Sequence, residues 1–198
     1  MSLKRFLRWG SSSLLLVLLL ATTGAQAATL NLVGIILHGA SGVVVGENLY
    51  DVEFVDGICS VVFSGCDSTS DFTFNTLPDA YTASQALLNQ VFLDGGTGAF
   101  DASPRLIYGC GHKDVCVALT PFEFIDGSAA VQAFGARNVR PTVSPGDNII
   151  GFSTSSGYDA AQSNSMVWAV WTPVPEPGTG LLMGLGLLVM GIRTRRSA

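Results

Sequence analysis

The chain has 198 residues, of which 48% are hydrophobic and only 13% charged, with 10 Lys and Arg against 15 Asp and Glu. That is about half of the roughly 25% charge usual in a soluble domain. Such a composition excludes a disordered tail protein, a coiled coil and a basic nucleic-acid binder, and the length suits one domain.

Residues 1–27 have the form of a secretory signal peptide. Lys4, Arg5 and Arg8 supply a positive start, and Leu14 to Leu20 is an unbroken apolar run. That run is too short for a bilayer that takes about 20 residues to cross. Ala25-Gln26-Ala27 is a small-x-small cleavage site, which makes Ala28 the expected first residue after export.

Residues 28–172 read as a secreted, mainly β domain, of sandwich-like architecture with one amphipathic helix near 77–93. Strand patterns are expected over Leu30–Leu37, over Val43–Val45 and Tyr50–Val55 around the turn-former Gly46-Glu47-Asn48, and over Ile58–Phe63. Phe72-Thr73-Phe74 alternates like a half-buried strand. Thr76-Leu77-Pro78-Asp79 opens the helix with a hydroxyl cap, a proline in the first turn and an acid three residues on. Its expected buried stripe is Leu77, Ala80, Tyr81, Ser84, Leu87, Leu88, Val91 and Phe92, with Leu88 at mid-stripe, and Asp94-Gly95-Gly96 stops it. Further strands are expected over Val115–Leu119, Phe122–Ile125, Ala129–Phe134, Ile149–Phe152 and Met166–Trp171. Trp168 and Trp171 are three apart in the last of these, on opposite sides, with burial of both expected.

The domain keeps four basic residues and 14 acidic ones. Its acidity argues against binding nucleic acid or an anionic lipid surface by charge. Cys59, Cys66, Cys110 and Cys116 fall in two close pairs in an oxidising compartment. Four cysteines allow three pairings; the local one, Cys59–Cys66 with Cys110–Cys116, is the simplest. A zinc site with His112 is the rival, but Cys110-x-His112 is not a usual zinc spacing and no CxxC occurs. No metal or other cofactor is expected.

No catalytic constellation is visible. The two histidines, His38 and His112, have no Gly-x-Ser-x-Gly elbow to work with. Asp51 and Glu53 are two apart on a strand and share a face, a pair that would suit a glycosidase; solvent is the ordinary place for Asp51. Asp94–Asp101 is a calcium candidate without the dense Asp/Asn alternation or closing Glu of an EF-hand loop. The expectation is a non-catalytic protein, with a carbohydrate-active enzyme or a calcium-dependent adhesive module as the alternatives.

Residues 173–198 differ from the rest. Pro173-Val174-Pro175-Glu176-Pro177-Gly178 is a breaker-rich linker. Gly178 to Ile192 is uncharged and holds five glycines, and Arg193, Arg195 and Arg196 follow. Fifteen helical residues extend about 22 Å, short of a hydrocarbon core of roughly 30 Å. The arginines keep to the cytoplasmic side, so the segment reads as a weak, late, N-out stop-transfer segment after a breakable linker. Val174-Pro175-Glu176-Pro177, the glycine-rich apolar span and Arg193-Thr194-Arg195-Arg196 together resemble the PEP-CTERM sorting signal. The resemblance implies recognition of Pro175, Glu176, Pro177, Arg193, Arg195 and Arg196 by exosortase, a membrane cysteine peptidase of Gram-negative bacteria. It further implies a transient inner-membrane anchor through residues 178–192, release to the cell surface or beyond, and extracellular polysaccharide and biofilm as the setting. Thr194 interrupts the usual run of basic residues. The segment Leu49–Gly57, the first cysteine pair, Ala83–Leu88 and Trp168–Trp171 also resemble the bodies of such proteins, a likeness that implies no particular activity.

Overall fold

The computed structural model describes residues 27–175. Residues 1–26 of the expected signal peptide and the C-terminal apolar span with its arginines lie outside the described residues. Among those described, no helix is long and apolar enough to cross a membrane.

The strands are β1 (Thr29–Val33), β2 (Ile36–Val45), β3 (Asn48–Val55), β4 (Asp94–Gly95), β5 (Gly98–Ala99), β6 (Val115–Ile125), β7 (Ala130–Val139), β8 (Asn148–Ser155) and β9 (Met166–Pro173). Seven of them form one sheet in the order β1-β2-β3-β9-β6-β7-β8. All neighbours are antiparallel except β6 and β9. This corrects the sandwich. The β1–β3 group and the β6–β8 group do not stack, because β9 enters between them and joins them edge to edge. β9 is accordingly covered on both faces over Val167–Ala169, and its Met166-Val167-Trp168-Ala169-Val170-Trp171 run is continuously apolar, as a strand buried on two sides requires.

Local turns account for the first three strands. The expected single strand over 30–37 is a hairpin, because Gly34, at φ +64°, reverses the chain between Val33 and Ile36. Gly46, at φ +62°, turns β2 into β3. A Cβ at Gly39 would collide with the carbonyl oxygen of Val52, so β2 and β3 pair closely only with glycine there.

Each face has its own core. On the first, Leu37, Val52, Phe54, Ala118 and Trp171 pack under the helix α2 (Leu77–Ala86), which widens into a π-helical turn over Leu87–Val91. Thr76 caps α2, its Oγ1 accepting from the Asp79 N–H at 3.4 Å. The buried stripe is Ala80, Ala83, Ser84, Leu87 and Val91. Leu77 and Tyr81, expected inside, are 55% and 42% exposed, and Leu88 is only partly buried. Small residues at 80, 83 and 84 let the helix lie close to the sheet, and this closeness turns the larger side chains out to its flanks.

On the second face, Trp168 packs with Phe63, Phe72, Leu119, Val131 and Ala133, and its Nε1 donates to the Gly57 carbonyl at 3.0 Å. The segment Ile58–Phe63 is not a strand. It holds the short helix α1 (Cys59–Val62), whose Cys59 is bonded to Cys66 over a separation of seven residues. The ring is too tight for extended chain, and it presents Phe63 edge-on to Trp168 at 5.5 Å. Phe72 and Phe74 are buried and Thr73 exposed, so the alternation is right, but no strand forms there. Val115–Leu119 and Phe122–Ile125 are one strand, β6, which passes Pro121 by a bulge between Pro121 and Glu123. The second disulfide, Cys110–Cys116, ties the preceding loop to the start of β6.

Candidate functional site

The sorting segment leaves directly from the sheet. Pro173 is the last residue of β9 and pairs with Tyr50; Val174 N–H then donates to the Leu49 carbonyl at 2.9 Å. Pro175 follows at once and is exposed. Glu176, Pro177, Arg193, Arg195 and Arg196 lie outside the described residues. β9 is an interior strand, so the folded domain and the Val174-Pro175-Glu176-Pro177 motif are joined without a spacer.

Among the concavities of the described residues, one polar hollow is built by four strands. α1 and the Trp168 cluster cover only part of the second face. Over β1, β2, β3 and the end of β9 the face is bare, and an open hollow of about 330 Å³ is lined by Asn31, His38, Ser41, Asp51, Glu53 and Thr172. The alternation of β3 sends Val52 and Phe54 into the first core and Asp51 and Glu53 into the hollow. His38 belongs to it because β2 continues through that position, instead of ending there. Its ring stacks on Tyr108, with centroids 4.3 Å apart and planes 27° from parallel. Tyr108 arrives because its N–H donates to the Leu37 carbonyl at 2.8 Å, fixing a loop 70 residues away along β2.

Asp51, expected in solvent, is half-buried. Its Oδ1 accepts from the Gly42 N–H at 2.9 Å, where β2 bulges between Ala40 and Val43. Glu53 is exposed. His112 is held elsewhere: its Nδ1 accepts from the Asp114 N–H at 3.2 Å and its own N–H donates to the Asn164 carbonyl at 2.7 Å. The disulfides consume all four cysteines.

The calcium candidate folds as the two-residue strands β4 and β5, with Asp94 Oδ1 accepting from the N–H groups of Asp101 and Ala102, each at 3.0 Å. Burial, then the charges of Asp147 and Asp94, hold the Asp101 carboxyl above its usual range. Among the described residues no group of three or more His, Cys, Asp or Glu side chains is placed to hold a metal ion.

A second perturbed carboxyl follows directly on the end of β3. Asp56 is pushed up by burial and then by the charge of Asp159, and its buried Oδ1 has no hydrogen-bond partner. No signal in the sequence singles out Asp56, Tyr108 or His38 as a partner of anything, because each gains its neighbours from distant segments.

No curated protein and no solved structure matches the chain. The family description that does match is "PEP-CTERM protein-sorting motif", over residues 173–196. These residues begin where β9 ends and contain the linker, apolar span and arginines already described, so the chain carries a PEP-CTERM protein-sorting motif, that of an exosortase substrate, and the motif implies export and sorting toward the cell surface.

Proposed function

We propose that residues 28–172 form a non-catalytic surface or matrix domain that holds extracellular polysaccharide in the hollow of β1, β2, β3 and β9, and that exosortase processing delivers it there. The His38 ring in the hollow, backed from outside the lining by the stacked Tyr108, carries this reading. One face of the His38 ring is taken by Tyr108 and the other is available to the apolar C–H face of a pyranose, while the Asn31 amide, the Ser41 and Thr172 hydroxyls and the Glu53 carboxylate supply donors and acceptors for sugar hydroxyls. An open hollow also lets a polymer pass through it without a free end.

The carboxylates favour binding over hydrolysis. Asp51 and Glu53 are two residues apart on one strand, about 6.6 Å between Cα atoms, and both stand on the same side. Glycoside hydrolysis places its two carboxyl groups on either side of the scissile bond. Asp51 is moreover occupied by the Gly42 amide.

The test is a glycan array and titration calorimetry on protein collected from the medium, with a reducing-sugar assay alongside. Polysaccharide binding without sugar release is expected, weakened at least tenfold in Tyr108→Ala at an unchanged melting temperature. Absence of any glycan binding overturns the proposal. Sugar release abolished by Glu53→Gln transfers the hollow to the carbohydrate-active alternative.

A further inference from the structure

The two edges of the sheet differ in a way the sugar site does not explain. Edge strands expose unpaired N–H and C=O groups, and proteins blunt them with shortness, bulges, proline or charge. β1 is blunted: it has five residues and its register shifts between Asn31 and Leu32. β8 has none of these devices. Its eight residues, Asn148-Ile149-Ile150-Gly151-Phe152-Ser153-Thr154-Ser155, include no charge and no proline. They pair with β7 without a bulge from Arg137–Asn148 to Ala130–Ser155. Among the described residues nothing pairs with the other side of β8.

Gly151 lies near the middle of that edge. A Cβ there would meet nothing within 4 Å, and its φ is outside the left-handed region, so nothing within one chain calls for glycine. Glycine inside a strand marks places where another backbone comes close. Phe134 pairs with Gly151 across the ladder, and its ring packs on Phe122 and Tyr81, each at 5.4 Å. Leu77, Phe122, Phe134 and Phe152 border an open apolar hollow of about 320 Å³ that runs along the edge.

We propose that β8 pairs antiparallel with β8 of a second copy, joining two seven-stranded sheets across a two-fold axis. Charge confines contact between two copies to this edge. With 14 acidic residues against four basic ones, two domains repel over most of their surface. The uncharged β8 is where a strand can lie against its own copy without placing like charges opposite one another, and a two-fold contact of this kind is closed.

Sedimentation velocity on the protein from the medium, over a range of concentrations, is the test. The wild-type protein is expected to pass from monomer to dimer as concentration rises. Gly151→Lys should weaken the dimer at least tenfold while the dilute monomer melts at the wild-type temperature, since a Cβ at 151 meets no atom within 4 Å and the hollow beside it is open. Hydrogen exchange on the wild-type protein gives a second reading free of any folding defect: amides in 148–155 should slow with concentration and those of β1 should not. A wild-type protein that stays monomeric, a dimer indifferent to Gly151→Lys, or 148–155 amides whose exchange ignores concentration each overturns the proposal.

Discussion

Asp56 is the residue at which burial works against charge. It sits beside Gly109, where a Cβ would come within 2.7 Å of the Asp56 Oδ1 and of the Val167 side chain. Packing so close buries that oxygen where no donor among the described residues reaches it. The folded protein therefore holds the Asp56 proton more tightly than the unfolded chain, whose carboxyl has the ordinary value of 3.8. Ionisation opposes folding, so the Asp56 contribution rises as pH falls from above the raised folded value toward 3.8, and is lost above that window. Asp56→Asn is expected to raise the melting temperature at neutral pH and to flatten its change on mild acidification; thermal melts from pH 7 to pH 4 measure it. An Asn variant less stable at neutral pH would show that the carboxylate has a partner.

Within α2, the depth of each side chain decides its contribution. Leu87 is fully buried and Leu88 only partly so. Leu87→Ala should lower unfolding free energy by about 2–5 kcal/mol, through lost transfer energy and the cavity left behind, and Leu88→Ala by clearly less. Chemical denaturation ranks the two, and equal losses would place the helix in a different rotation on the sheet. The Cys59–Cys66 ring belongs to the same scale. It spans seven residues, so loop-closure entropy credits it with about 2–3 kcal/mol. Replacing both cysteines by serine should remove about that much and loosen the cover over Trp168, visible as a red shift of tryptophan emission.

At the scale of the whole molecule, the strand directions bring the two ends of the domain together. β1, β2, β3 and β9 alternate in direction, so the start of β1, near the Thr29–Ser41 pair, and the end of β9, at the Tyr50–Pro173 pair, lie at the same end of the sheet. Both flanking segments thus leave from one pole, and the sorting motif leaves without a spacer. Pro175→Ala combined with Glu176→Ala should abolish processing and keep the chain with the inner membrane. Intact-mass analysis of secreted wild-type protein checks the same point from the other side: chains still ending at Ala198 would count against exosortase processing. A domain of about 145 residues buries near 70% of its unfolded surface, so residues 28–172 are expected to fold cooperatively without either flank.

The sequence alone determined whatever depends on near neighbours. The sorting motif is a contiguous string of breakers, apolar residues and arginines. The Thr76 cap, the Gly46 turn and the alternation that puts Asp51 and Glu53 on one face each arise within a few residues, so local chemistry suffices to read them. Tertiary structure decided what depends on segments meeting from afar. The strand pattern of Met166–Trp171 is equally apolar in a sandwich or a single sheet, and only its insertion between β3 and β6 excludes the sandwich. The helix pattern allowed Leu77 and Tyr81 to face inward; the close approach through Ala80, Ala83 and Ser84 turned them out. Ile58–Phe63 has strand-like composition, and closing the Cys59–Cys66 ring made it helical. His38 acquired Tyr108 through a backbone hydrogen bond across 70 residues of sequence. Periodicity reports which side of an element is apolar, whereas the identity of the surface that covers it is a property of the assembled chain.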